Sequence, residues 1–382
     1  MALNYLAPAP YASFVTRNGN FQADGNGLIS NVVMGIQALD LLQSGCVPLA
    51  HNPFANFRNL IDGGDFSINP FQRNIPGLAS GGVIATPIAA TPTYFADRFF
   101  AASGATSAIL TAAVADQSIP GFAQSLKLSR QAGNASTAPI RFGQIIETFD
   151  SLRCQGQMVT LSFWARSGAS YSGGPVSVQV IAGAGANQSA ASLIAGTWTS
   201  QSSVVSGQQA LTPAMTRYQF TGVVPANASQ LAILLSYTPS GTAGADDSIT
   251  INGVQLEIGP SASPFERIDA QVVLEICQRY AWAIQEPAAG VVVGAGMNTG
   301  ASSQLFYMAT PVQLFRAPTV TVASGSFKTN QAGSLVSTTI TAGGTHAPNA
   351  VSIIGNSTGT AGQATLLQGG GGAGWILASS DF

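Results

Sequence analysis

The chain reads as mainly β, organised as two β domains joined by one helix and preceded by a small α+β segment. Three observations lead there. Glycine (43) and proline (20) recur with Asn and Ser every dozen residues or so from residue 59 onward, the punctuation of short strands and turns. Several runs alternate apolar and polar side chains: Val159, Leu161, Phe163 and Ala165 share one face, and Val176-Ser-Val-Gln-Val-Ile and Ser248-Ile-Thr-Ile-Asn-Gly-Val-Gln-Leu-Glu repeat the pattern. Alternation gives one dry and one wet face, as a sandwich requires. Helical periodicity, by contrast, is confined to residues 36–42 and 270–285.

Taken in order, residues 1–57 have their own grammar. Asn18-Gly19, set between Phe14-Val and Phe21, predicts a hairpin. Ile36, Leu39 and Leu42 predict a short helix that Gly45 and Pro48 stop. Alone, so short a segment struggles to bury a core, so it is expected to pack on neighbours as an adaptor. Residues 58–269 form the sandwich, with residues 76–93 and 103–116, rich in Ala, Gly and Thr, ambiguous between loop and strand. Asp269 predicts the N-cap of a helix from Ala270 to about Gln285, with Val272, Val273, Ile276, Tyr280 and Ile284 as its apolar stripe and Pro287 ending it. This helix, within residues 270–289, connects to a C-terminal β domain over residues 290–382. The C-terminal strands are expected at Gln304-Leu-Phe-Tyr-Met, Thr319-Val-Thr-Val, Ala350-Val-Ser-Ile-Ile and Trp375-Ile-Leu-Ala.

Composition excludes several functions. Charged residues are 8% of the chain and the net charge is -2, with no Lys/Arg run, so the basic footprint of a nucleic-acid binder is missing. Mean hydropathy is +0.27, yet no run of about 18 apolar residues accounts for it as a membrane span. Burial between subunits is the simpler account, and a homo-oligomer, a trimer above all, is expected. The start, Met1-Ala-Leu-Asn-Tyr-Leu, has neither the basic residues nor the apolar stretch of a signal peptide, which predicts synthesis in a cytosol. Cys46, Cys154 and Cys277 are widely spaced and odd in number, which predicts buried thiols rather than disulfides or zinc ligands.

Chemistry-bearing patterns are sparse. His51 and His346 lie in linker and turn text without a Gly-x-Ser-x-Gly elbow. The glycine run 369–372 resembles a phosphate loop but lacks Gly-Lys-Ser/Thr and a following helix, so it reads as a turn. Three carboxylate pairs, Asp62/Asp65, Asp246/Asp247 and Glu257/Glu266, are the candidates for glycan hydrolysis, and turn or ion-pair roles account for each. No cofactor is expected, although a Ca2+ site built from Asp carboxylates and carbonyls at a sandwich rim is conceivable chemistry. Trp198, Tyr171, Tyr218 and Tyr237, set in polar, loop-like text, are the candidate carbohydrate-binding platforms. Trp164, inside a strand pattern, reads as core.

Four segments together point further: Asn59-Leu-Ile-Asp-Gly-Gly-Asp-Phe66, Ala96-Asp-Arg-Phe-Phe100, Leu161-Ser-Phe-Trp-Ala-Arg166, and Gly253-Val-Gln-Leu-Glu-Ile-Gly259 leading to Ser263-Pro-Phe-Glu-Arg267. In this order, and followed by Leu274-Glu-Ile-Cys-Gln-Arg-Tyr280, they resemble the carbohydrate-binding-like jelly-roll module of bacteriophage tail-fibre and virion-decoration proteins. The resemblance covers about residues 58–285 and departs from the family at Gly64, where Asn is usual, and at Phe99, where Trp is frequent. It implies a jelly-roll sandwich and a non-enzymatic structural or adhesive protein of a tailed-phage virion, in the tail fibre or on the capsid. Its implied partners are copies of itself, other virion proteins through residues 1–57, and host-surface glycan. The alternatives are a polysaccharide-degrading tail enzyme and a capsid cement protein without a receptor.

Overall fold

The structure is a computed structural model. It describes strand segments at residues 2–6, 13–16, 19–22, 28–33, 47–48 and 83–84, together with residues 58–66, 91–96, 98–103, 109–323, 325–331, 333–344 and 346–381. Near the N-terminus, β1 (Ala2–Leu6) pairs with β4 (Leu28–Val33) and β5 (Val47–Pro48). The expected hairpin forms from β2 (Ser13–Thr16) and β3 (Gly19–Gln22), with Thr16 opposite Gly19. The helix expected over residues 36–42, Cys46 and His51 lie outside the described residues.

Two six-stranded antiparallel sheets build the jelly-roll sandwich. Their strands are β6 (Val83–Ile84), β7 (Thr93–Ala96), β8 (Phe99–Ser103), β9 (Ile109–Ala115), β10 (Gln124–Arg130) and β11 (Ile140–Ile146). After these come β12 (Met158–Ser167), β13 (Val176–Gly183), β14 (Ser202–Gln209), β15 (Thr216–Val223), β16 (Gln230–Tyr237) and β17 (Ser248–Ile258). The first sheet runs β15-β12-β17-β10-β9-β6 and the second β14-β13-β16-β11-β8-β7. The ambiguous text around residues 76–116 therefore contributes strands to both sheets.

The core between the sheets follows the alternation. Val159, Leu161, Phe163 and Ala165 of β12 meet Phe142 of β11, Val178 and Val180 of β13, and Ile233 and Leu235 of β16. Phe99 stacks on Phe142 with ring centroids 5.0 Å apart, and burying each such ring contributes about 1.5–3 kcal/mol. Strand β17 departs from strict alternation. Its core face is Ile249 and Ile251, then Val254 and Leu256, because a bulge at Asn252-Gly253 shifts the register against β12. Gly253 adopts φ +56°, and a Cβ there would stand 2.5 Å from the Trp164 ring.

The connecting helix is shorter than expected. Asp269 caps it, accepting from Gln271 N at 2.9 Å, but it spans only Ala270–Gln278. Residues expected to continue it form β18 (Ala281–Gln285), paired with the terminal strand β27 (Trp375–Ser379). The reason lies in the spacing: positions 280 and 284 are four apart, which satisfies a strand's period of two as well as a helix turn. Trp282 and Ile284 indeed point together into the C-terminal core.

That C-terminal unit stacks a three-stranded sheet, β18-β27-β21, on a seven-stranded one, β23-β22-β26-β19-β20-β25-β24. Its strands are β19 (Val292–Gly300), β20 (Ser303–Ala309), β21 (Thr319–Ala323), β22 (Lys328–Gln331), β23 (Ser334–Ser337), β24 (Thr339–Ala342), β25 (Ala350–Asn356) and β26 (Ala364–Gln368). Phe306, Val351, Ile353, Leu367 and Ile376 fill the space between.

A polar knot ties this unit to the sandwich. The buried Arg98, at φ +67°, donates to Asp62 Oδ2 (3.1 Å) and Ile145 O (2.6 Å), approaches Asp381 Oδ1 at 3.5 Å, and lies 3.4 Å from the Tyr280 ring centroid. Beside it Glu147 accepts from Arg279 Nε (3.2 Å) and from the Tyr280 hydroxyl.

Candidate functional site

Three of the four quoted segments interlock on and around the first sheet, while Ala96 and Phe99-Phe100 belong to β7 and β8 of the second. Asn59 holds β17 with its whole side chain: Oδ1 accepts from Leu256 N and Ile61 N (both 3.0 Å), and Nδ2 donates to Val254 O (3.1 Å). Its own N–H donates to Glu266 Oε2 at 2.6 Å. Gly64 O accepts from Val254 N at 2.9 Å, and a Cβ on Gly64 would collide with the Val254 carbonyl, so this position demands glycine. Residues 259–267 then fold over the outer face. Glu257 accepts from Gln255 Nε2 (2.7 Å) and Ser263 Oγ (2.6 Å) and pairs with Arg58 (3.4 Å). Arg217 donates to Ser162 Oγ (3.1 Å) with its guanidinium 4.6 Å from the Trp164 ring centroid, and Phe122 packs on both Trp164 and Phe265. Trp164 is thus on the outer face rather than in the core, half-buried under this brace. With its polar groups engaged internally, this face serves as scaffold.

The second sheet's outer face is different at one end. Its apolar half, Ile145, Ala232 and Ile181, is covered by Ala190, Leu193 and Trp198, and Phe100 meets Tyr280 and Phe315 in the same cluster. Beyond it the register places Arg141, Ser236, Ser177 and Gln208 side by side across β11, β16, β13 and β14. The adjacent row is Gly143, Leu234, Gln179 and Ser206. Arg141, Ser177, Gln179 and Ser236 are half-buried and Ser206 and Gln208 exposed. None of these six side chains has a hydrogen-bond or ion-pair partner among the described residues. The row spans roughly 14 Å, three strand spacings of about 4.8 Å. Tyr94, half-buried and edge-on to Phe100 at 5.9 Å, lies two strands beyond Gly143 on the same sheet. A flat row of uncharged donors and acceptors with one guanidinium and a neighbouring aromatic ring can hydrogen-bond hydroxyls and stack on an apolar sugar face.

The aromatic candidates from the sequence fall elsewhere. Trp198 is 3% exposed, its Nε1 donating to Ser189 O at 2.9 Å, so it covers the sheet rather than meeting solvent. Tyr237 is 4% exposed and belongs to the central core, and Tyr218 points inward from β15 against Phe163 at 6.0 Å. Tyr171 meets Tyr237 at 5.4 Å but is only half-buried, with its hydroxyl donating to Gly174 O at 2.9 Å. Trp198 and Tyr171 anchor loops to the core, whereas Tyr218 and Tyr237 lie in strands β15 and β16. Burial pushes the phenol pKa of Tyr171 and of Tyr237 up.

The carboxylates are engaged structurally. Asp247 forms a buried pair with Arg130 at 2.7 Å and accepts from Ser172 N and Oγ. Asp246 meets Lys127 at 2.7 Å; burial raises its pKa, but the Lys127 and Ser248 hydrogen bonds outweigh that and hold it at about 2. Asp62 faces Arg98, and Glu266 receives the Asn59 amide. Among the described residues no three His, Cys, Asp or Glu side chains gather as a metal centre would need, and no helix is long and apolar enough to cross a membrane. Cys154 and Cys277 are buried as expected, and burial pushes the Cys154 thiol up to about 11. His346 is half-buried, its Nδ1 accepting from Ser352 N at 3.3 Å.

No family model and no curated protein matches the chain. Solved structures do. A CBM4 structure is 17% identical, with 52% of this chain and 99% of that one covered and a TM-score of 0.30. The tandem CBM22-1–CBM22-2 domain of Paenibacillus barcinonensis Xyn10C is 12% identical, covering 80% and 100%, with a TM-score of 0.28. The enzymatically active domain of bacteriophage CBA120 tailspike protein 4 is 15% identical, covering 53% of this chain and 22% of that one, with a TM-score of 0.28. At such scores the function has to be argued from the chain's own residues.

Proposed function

We propose that the sandwich is a non-catalytic glycan-binding module and that the protein is an adhesive or structural component of a tailed-phage particle. One observation carries the binding reading: Arg141, Ser177, Gln179 and Ser236 are half-buried, unsatisfied polar side chains on one outer face, whereas the other outer face is braced around Trp164 by residues 259–267. The placement on a virion rests on the resemblance of the four segments, with attachment through residues 1–57 and synthesis in the host cytoplasm. Association of copies is supported by the C-terminal sheet. Its outward face carries exposed Met297, Tyr307, Leu335 and Leu366 around Ala295, with Lys328 as the charged side chain there, so copies can meet without like-charge repulsion. A trimer of weak sites gains avidity through effective concentration.

A glycan array probed with the intact protein, followed by titration calorimetry, tests the module. We expect at least one surface polysaccharide class to bind, with Gln179→Ala/Ser236→Ala weakening it about tenfold to thirtyfold, two hydrogen bonds of about 1 kcal/mol each, at unchanged melting temperature. A blank array, or a double variant that binds as the wild type does, refutes the assignment of this face.

A further inference from the structure

We infer that the ligand of this face is an acidic glycan whose carboxylate is read by Arg141. The inference rests on the glycan-binding reading above and adds the substrate class. Arg141 sits between Ile140 and Phe142, whose side chains are fixed in the core, so its own side chain is committed to the opposite face. There it is half-buried, and no described residue offers it a carboxylate or carbonyl. Other arginines of the same sandwich are engaged: Arg58 pairs with Glu257, Arg98 with Asp62, Arg130 with Asp247 and Arg166 with Asp116, while Arg217 and Arg267 lie over the Trp164 and Phe122 rings. Partial desolvation of an unpaired guanidinium costs free energy, which an incoming anion relieves.

The neighbours select among anions. Ser236 directly beside Arg141, then Ser177, Gln179 and Gln208, supply neutral hydrogen-bonding groups of the kind sugar hydroxyls engage. The two rows contain one cation, no lysine and no helix N-terminus, so the site balances a single negative charge. The planar guanidinium fork matches a carboxylate bidentately. A sugar-borne carboxylate, in a uronic or a sialic acid, meets both requirements, whereas a phosphate dianion would be left half-neutralised.

The test uses the full-length protein and three probes in calorimetry: polygalacturonate oligomers, the same oligomers reduced at the carboxyl to galactan, and a sialylated oligosaccharide. At least one carboxylated probe is expected to bind about tenfold to a hundredfold more tightly than the reduced one, the range for hydrogen bonds to a charged group. Arg141→Gln should bring the acidic and reduced probes to the same affinity, and Arg141→Lys, which keeps the charge but not the fork, should fall between. Raising NaCl from 50 to 500 mM should weaken the acidic probe in the wild type and not in Arg141→Gln. Circular dichroism melting of both variants, unchanged because Arg141 has no internal partner, excludes misfolding as the cause. Tight binding to the neutral probe with no effect of Arg141→Gln overturns the acidic-ligand inference and leaves the glycan reading standing. Absence of binding to all three probes and to the array overturns both.

Discussion

Glu286 gives the sharpest test of how the C-terminal unit is held together. Its carboxylate is 7% exposed and is wrapped by the glycine loop: Oε1 accepts from Gly370 N (2.8 Å) and Gly372 N (3.1 Å), and Oε2 from Ser326 N (2.8 Å) and Gly374 N (2.9 Å). The glycines are required by proximity, since a Cβ on Gly374 would stand 2.8 Å from Oε2. Glu286→Gln keeps one acceptor oxygen and turns the other into a donor facing two N–H groups. Two charge-assisted bonds are lost, at about 1.5–3 kcal/mol each, so a loss of about 3–6 kcal/mol is expected. For a unit near 100 residues, that lowers the melting temperature by roughly 12 °C or more. Burial raises the pKa of Glu286, but the four amides outweigh it and hold it below the ordinary value. The unfolded carboxyl therefore takes up its proton first, and the stabilisation, complete above the unfolded pKa of about 4.3, drains away as pH falls through the lower folded value. Thermal melts of wild type and variant from pH 7 down to pH 3 check this: the gap should be widest near neutrality and close in acid. A gap below 2 °C at pH 7, or one that grows on acidification, refutes the reasoning.

Other expectations follow from single sites. Asp247→Asn, which strands Arg130 in the interior, should cost about 3–5 kcal/mol in denaturant melts, while replacing both by Leu and Met should cost less than either single change; equal or greater loss in the double variant would count against the pair being a mutual necessity. Gly253→Ala meets both a left-handed backbone and the Trp164 ring, so a loss of about 1–3 kcal/mol is expected, and a neutral result would mean the bulge relaxes freely. Tyr307→Glu with Leu366→Glu should dissociate the proposed oligomer in native mass spectrometry without lowering the melting point of the sandwich; an unchanged assembly moves the contact off this face.

Strand identity was legible wherever alternation was strict. Val159 to Ala165 and Val176 to Val180 point as their spacing requires, and Asp269 caps the helix it precedes. Legibility failed where two periods coincide, as at Tyr280 and Ile284, and where a bulge changes the phase, as at Asn252-Gly253. The glycine run 369–372 was read as a turn rather than a phosphate loop; its amides do face an anion, but one supplied by Glu286 far away in sequence. No local pattern announces that partnership.

The site was less legible than the fold for a related reason. Ile140-Arg-Phe and Val176-Ser-Val-Gln-Val each show that one polar side chain is turned away from the core, but a single strand cannot reveal its neighbours. Only the pairing of β11, β16 and β13 puts Arg141 beside Ser236 and Ser177. Aromatics are ambiguous for the opposite reason: a Trp or Tyr in Gly/Ser-rich text is as well suited to anchoring a loop as to meeting a sugar, and Trp198, with its indole N–H satisfied by Ser189, does the first. Two of the segments that resemble a phage module lock residues 59–66 and 263–267 onto β17, and a third carries Arg98 of the buried polar knot. Those residues answer to the demands of folding, so a ligand has to be sought on the wet-face positions between them, where folding leaves the residue type open.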